Sequence, residues 1–208
     1  MKLATRAIVA LVTLSALFTS VHYDSVRADD FTNGAERFIA SLADDAISSL
    51  TTETLTEKER QKNFRKLLNS YFDISGIGKW ALGRYWRKTS ESERLEYLVL
   101  FENLIVTTYA NRFNKYTKEK LIVKGSSSRG KFVLVKSQIN RGKEKPIRIE
   151  WRVTSPNGSY KIFDIVIEGV SRIRTPRSEF SSVIRRNGGK VSGLLAALRK
   201  KTTKMNQK

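Results

Sequence analysis

The chain has 208 residues, 39 of them Lys or Arg against 20 Asp or Glu, for a formal net charge of +19, with one histidine and no cysteine. Disulfide support, thiol chemistry and thiolate metal sites are thereby excluded, and imidazole chemistry rests on His22 alone. A field of this sign attracts polyanions: anionic lipid surfaces, lipopolysaccharide phosphates, acidic proteins or nucleic acid.

At the N-terminus, Lys2 and Arg6 precede a mostly apolar run from Ala7 to Phe18, and Val26-Arg27-Ala28 places small residues at −3 and −1 before Asp29. This is the pattern of a cleaved export signal over residues 1–28. The run is shorter than the roughly 20 residues a membrane helix needs. Cleavage would remove His22 and release a basic product lacking both imidazole and thiol. Export places that product outside the inner membrane and argues against nucleic acid as its partner.

From Phe31 to Leu50, apolar residues step by three and four, which predicts an amphipathic helix. Thr56 to Glu59 has capping-box spacing and opens a second helix through Phe64, Leu67, Leu68 and Tyr71. A break is expected from Asp73 to Gly78, followed by a short segment with Ile77, Trp80 and Ala81 that ends near Gly83. A second capping box, Ser90 to Glu93, starts a long helix carrying Leu98, Phe101, Leu104, Ile105, Tyr109, Phe113 and Tyr116.

Beyond Lys120 the period changes to two. Leu121–Val123, Lys131–Ile139, Ile147–Ser155 and Ser159–Glu168 read as antiparallel strands, with a turn at Ser155-Pro156-Asn157-Gly158. Thr175-Pro176 reads as the cap and first turn of a helix that stops at Gly188-Gly189. A last helix carries Leu194, Leu195 and Leu198, and residues 199–208 read as a basic, mobile tail. Residues 29–198 therefore form one α+β domain, with N-terminal helices and short C-terminal helices packed on a curved antiparallel sheet of four to five strands.

The candidate chemistry is sparse. Gly125 to Lys131 has the spacing of a phosphate-binding loop, but Phe132 follows where Ser or Thr would hold magnesium, and a strand pattern follows where a helix is required. A solvated hairpin loop accounts for it. Ser128 with Lys131 would need a desolvated lysine, which a Gly-rich turn does not provide. Asp164 interrupts an apolar strand and is read as a buried carboxylate paired with an arginine. No catalytic residue, metal ligand or cofactor site is assigned.

Aromatic and aliphatic residues remain. Trp80, Phe101, Leu104, Ile105 and Tyr109 on helices, and Phe132, Leu134, Ile149, Trp151, Val153, Phe163 and Ile165 on strands, fall on elements expected to face each other. Each has an ordinary explanation as core. As a set they would line a cavity for an apolar ligand between helices and sheet.

The stretch from Tyr71-Phe72-Asp73-Ile74 through Gly78, Trp80, Leu82-Gly83 and Trp86-Arg87, then Tyr97 to Phe101 and Thr108-Tyr109-Ala110, resembles the MlaC, or toluene-tolerance, family. A second block agrees: Tyr160 to Asp164, Glu168 to Ser171, Arg177, Glu179-Phe180, and Gly188 ahead of the leucine-rich last helix. The likeness runs from about Phe64 to Leu198. It departs after Ser171, where Arg172-Ile173-Arg174-Thr175-Pro176 replaces the usual apolar pair and Asn-Tyr.

The resemblance implies a non-enzymatic, monomeric periplasmic carrier whose apolar cavity takes the acyl tails of a glycerophospholipid. Arg87 and Arg177 would then hold the phosphate at the mouth. It also implies transient, membrane-associated docking on an outer-membrane lipoprotein complex and on an inner-membrane ABC transporter with an MCE-type subunit, which maintains outer-membrane lipid asymmetry. A carrier of hopanoids or another envelope lipid, a secreted polyanion-binding module and, more remotely, a hydrolase on the same scaffold are the competing readings.

Overall fold

The computed structural model describes the backbone of residues 23–115, 119–142 and 144–206. The basic and apolar parts of the export signal, His22 and Tyr116 lie outside the described residues. Ala28 and Asp29, the expected cleavage point, fall within the first helix.

Helix α1 spans Tyr23–Leu50, α2 Glu57–Tyr71, α3 Ile74–Leu82 and α4 Glu91–Tyr109. Strands β1 (Lys120–Arg129), β2 (Phe132–Arg141), β3 (Glu144–Thr154), β4 (Lys161–Ile167) and β5 (Val170–Ser171) follow, then helices α5 (Arg174–Arg186) and α6 (Val191–Asn206). The strands form an antiparallel meander in the order β1-β2-β3-β4-β5. The α+β class and the sheet are as the sequence predicts.

Both capping boxes form. The Thr56 hydroxyl accepts from the Glu59 amide while the Glu59 carboxylate accepts from the Thr56 amide, and Ser90 and Glu93 repeat the arrangement. Each satisfies two amides that would otherwise lack a helical partner.

Four local expectations are corrected. The break at Asp73 to Gly78 is confined to Asp73, which caps α3 by accepting from the Gly76 amide at 2.9 Å. Its glycines make room for neighbours and do not break the helix. A Cβ on Gly76 would lie 2.0 Å from Asp73 Oδ2, and one on Gly78 would lie 2.8 Å from Leu98 Cδ2.

The Gly125 to Arg129 stretch is no loop, since it continues β1 and pairs to Arg129 opposite Phe132. A register shift between Val123 and Gly125 absorbs the glycine, whose φ is 121°. Helix α5 begins at Arg174, before Thr175, because its cap comes from further upstream. The tail read from residue 199 is helical to Asn206: Thr202 is buried and donates to the Leu198 carbonyl at 3.0 Å, and Arg199 pairs with Glu96 of α4.

Two apolar cores result. In the first, Ala35, Ile39 and Leu42 of α1 bury against Val133, Val135, Ile149, Trp151, Val153 and Ile162 on one face of the sheet. The second is helical and centres on Tyr97, fully buried, with Phe101 stacked at 5.8 Å and Phe180 edge-on at 6.1 Å. The Tyr97 hydroxyl donates to the Gly78 carbonyl at 3.0 Å, and burial pushes this phenol far above its ordinary pKa.

Phe72 packs against both cores, and the Asp73 amide donates to the Ile162 carbonyl at 3.0 Å, tying the α2–α3 junction to β4. Tyr71, next to it, donates to Asp45 of α1 at 2.6 Å; burial and that carboxylate push its pKa up to about 12.

Helix α1 lies close to the sheet because Gly34 lets Tyr160 cross it. A Cβ on Gly34 would lie 1.9 Å from the Tyr160 hydroxyl, and the ring is held by Phe31 at 5.7 Å and Phe38 at 5.6 Å. Gly34→Ala is expected to cost about 1–3 kcal/mol in urea unfolding through overpacking. The loss should shrink in a Tyr160→Leu background, since the two positions are in contact; an equal loss in both backgrounds would show that Tyr160 is not the obstacle.

Candidate functional site

Trp80 projects from the outer side of α3 and remains 43% exposed, unusual for a residue of this size. Its ring carries the Arg177 guanidinium of α5, with Cζ 4.4 Å from the ring centroid. This cation–π contact is reinforced from behind by Gly83, the C-cap of α3. Gly83 has φ 59°, a conformation that glycine adopts without penalty, and a Cβ there would lie 3.3 Å from Arg177 Nη2.

Two cavities of about 390 Å³ each flank Trp80 and share it with Arg174. Both fall within the size range of ligand pockets, about 300–1,000 Å³. One lies along α5 and is lined by Arg174, Arg177, Ser178, Ser181 and Arg185. The other lies between α3, the start of α5 and the sheet face opposite α1, and is lined by Asp73, Gly76, Ile77, Arg152, Phe163, Asp164 and Ile173.

A buried carboxylate holds these walls together. Asp164 is 5% exposed and accepts from Arg152 Nη1 of β3 at 2.9 Å, as the sequence predicts for an arginine-paired acid. It also accepts from the Ser171 hydroxyl, at 2.9 and 3.0 Å from its two oxygens. Ser171 Oγ in turn accepts from the amides of Ile173 and Arg174, each at 3.2 Å. One hydroxyl thus uses its proton on the sheet and both lone pairs on the first turn of α5. This replaces the Thr175 cap expected from the sequence.

The apolar candidates do not converge on a single pocket. Trp80 and Phe163 line the second cavity. Phe101 is buried in the helical core with Leu104 and Ile105 packed against it, while Tyr109 is half-buried beneath Arg112, 4.9 Å from its ring centroid. Ile149, Trp151, Val153 and Ile165 face α1, where Trp151 Nε1 donates to Ser137 at 2.8 Å.

Phe132 and Leu134 alternate with the buried Val133 and Val135, so they point to the opposite face of the sheet. There Phe132 meets Phe163 edge-on at 5.5 Å. Phe132, Leu134 and Phe163 are half-buried yet belong to neither core. Of the arginine candidates, Arg177 lines the first cavity, whereas Arg87 is exposed on the 3₁₀ turn Gly83–Lys88 and lines neither.

Arg174, Ser178, Ser181 and Arg185 line the first cavity and were not singled out from the sequence. With Arg177 they repeat at three- and four-residue steps along one helix face, a signal obscured by starting the helix at Thr175.

Residues 40–200 match the family of MlaC proteins. The intermembrane phospholipid transport system binding protein MlaC of Haemophilus influenzae is 24% identical over 129 residues, 60% of this chain. The chain spans about 60% of the length of that curated relative. The structure of the phospholipid-binding protein from Ralstonia solanacearum, determined with a phospholipid, superposes with a TM-score of 0.76 at 21% identity, covering 83% of this chain and 98% of that one. That likeness is one of fold.

Ser171→Ala leaves two amides and one side of Asp164 without their partner, and is expected to cost about 1–3 kcal/mol. Urea unfolding measures the loss, and hydrogen exchange should accelerate at Ile173 and Arg174 well beyond its change at the Tyr97 amide in the helical core. Uniform acceleration would refute the local capping role.

Proposed function

The chain belongs to the MlaC family, and from that premise we propose that it is a periplasmic carrier that takes the acyl tails of a glycerophospholipid out of water and moves the lipid between the outer and inner membranes. Family membership over residues 40–200 carries this reading. The physical need is large. At about 0.8 kcal/mol per methylene, two acyl chains of roughly 15 methylenes each cost on the order of 20 kcal/mol to expose. A protein lining replaces that exposure with non-directional apolar contact, which tolerates tails of varied length.

The entrance we assign is the second cavity, beside Trp80. Ile77, Ile173 and Phe163 line it, and Phe132, edge-on to Phe163, and Leu134 continue the apolar surface across the sheet. The tails would part this seam between the helical layer and the sheet, where Phe132, Leu134 and Phe163 are half-buried and committed to neither core. Arg152 and Asp164 neutralise each other at the mouth, so the entrance carries no unpaired carboxylate from that pair to repel a phosphate. Phe101, Leu104 and Ile105 back the helical wall, while Ile149, Trp151, Val153 and Ile165 form the α1 side of the sheet.

No described helix is long and apolar enough to cross a membrane. Export would be directed by residues 1–28. Delivery would proceed by docking on an outer-membrane lipoprotein complex and on an inner-membrane ABC transporter with an MCE-type subunit, with the basic surface meeting acidic faces of those partners. The product of this exchange would be maintained lipid asymmetry of the outer membrane.

Native mass spectrometry of the exported protein, purified without detergent, should show a mass increment of about one two-tailed phospholipid per chain. Phe163→Asp is expected to abolish that increment while circular dichroism still reports the folded α+β chain. A bare polypeptide mass, even after incubation with liposomes, would refute the carrier and favour salt-sensitive polyanion binding through the same basic surface. An extracted polycyclic lipid would identify a hopanoid carrier.

A further inference from the structure

The two cavities beside Trp80 differ in charge. The entrance cavity holds two cations, Arg152 and Arg174, and two carboxylates, Asp73 and Asp164. The cavity along α5 holds three arginines, Arg174, Arg177 and Arg185, and no carboxylate. None of the three forms an ion pair among the described residues. The acid of α5, Glu179, is two residues from Arg177 and so points away from the stripe.

Arg174, Arg177 and Arg185 lie on one face of α5, and an anion beside that face offsets the repulsion among their like charges. Arg177 is held on the Trp80 ring and against Gly83, so the edge of its guanidinium is already oriented when a ligand arrives. Planar guanidinium edges suit phosphate oxygens, which accept in pairs. Ser181 adds a hydroxyl, whereas Ser178 already donates to the Thr175 carbonyl at 2.9 Å.

We infer that the α5 cavity is a phosphate-ester site that selects phospholipids with a net negative headgroup. It rests on the carrier reading and deepens it. With tails entering on one side of Trp80, the phosphate reaches the arginines on the other, because both cavities share Trp80 and Arg174. A glycerol headgroup leaves the phosphate charge uncompensated. An ethanolamine headgroup brings an ammonium into the field of three arginines and is disfavoured by like-charge repulsion. Because these guanidinium groups are largely solvated, the discrimination is that of an exposed charge pair, about fivefold.

The test loads the full exported chain from vesicles of equal phosphatidylglycerol and phosphatidylethanolamine and measures the extracted lipids by mass spectrometry. Phosphatidylglycerol should be enriched about fivefold, with the enrichment falling as salt rises. Arg174→Gln/Arg185→Gln should erase it. Lys124→Gln/Lys136→Gln, which removes the same charge from the sheet, should keep it. Equal loading of the two lipids by the wild-type chain, or unchanged enrichment in the arginine variant, overturns the selectivity while leaving the carrier standing.

If the wild-type chain takes up neither lipid, the carrier fails and the pocket is decided by the Trp80 indole N–H resonance during titration with glycerol 3-phosphate and with inorganic phosphate. A saturable shift with either, lost in Arg174→Gln/Arg185→Gln, keeps the phosphate site and makes the free anion its ligand. No shift overturns the site.

Discussion

The hydroxyl of Ser171 is the point on which the arrangement of the site turns. It joins a buried carboxylate on β4 to the first amides of α5, and through Asp164 it reaches Arg152 on β3. Besides that bridge, the start of α5 is tied to the sheet by the short link from β5, in which the Arg172 amide donates to the Ile165 carbonyl at 2.8 Å; apolar contact alone would fix distance poorly and rotation hardly at all. The rotation of α5 decides whether Arg174, Arg177 and Arg185 face Trp80 or solvent. A charged residue inside a β-strand costs desolvation, and here the hydrogen bonds that offset the cost also orient a helix.

A second constraint operates at Phe72 and Asp73. These consecutive residues pack into both cores, hydrogen-bond to β4 and cap α3. The helical layer is consequently anchored to the sheet at β4, near Ile162, while Phe132, Leu134 and Phe163 on the face opposite α1 stay half-buried. On the carrier reading, an apolar guest at the seam would displace half-buried side chains that belong to neither core before it disturbed either one. A single close-packed interior would have to create the space.

The elements were legible in the sequence because their determinants are local. Thr56 and Ser90 announce helix starts within four residues, and alternation from Ile147 to Val153 announces a strand. The arginine partner of Asp164 was also inferable from its place in an apolar run. Which face each residue occupies was not, and Phe163 with Ile165 shows why. Two residues apart on a strand, they should share a face, yet Ile165 packs toward α1 while Phe163 lines the cavity opposite. The register shift opposite Arg152 and Val153 inserts one extra residue in β4 and turns Phe163 and Asp164 to the same side. Nothing in the run Lys161 to Ile167 marks that bulge. The basic stripe of α5 escaped for a similar reason, since its cap lies outside the helix on β5 and Thr175-Pro176 offered a more familiar start.

The meander also has two free edges, and each is blunted differently. At one end β5 has only two residues, too few to template another strand. At the other, β1 carries Lys120 and Lys124 beside a bulged Gly125 and three serines, a polar and kinked border that discourages a neighbouring chain from extending the ladder. The unpaired backbone groups at the border of an open sheet are a template for strands of a neighbouring chain. Edges of this kind discourage that pairing, so the ladder β1-β2-β3-β4-β5 is closed off within one chain by shortness at one border and by charge and a bulge at the other.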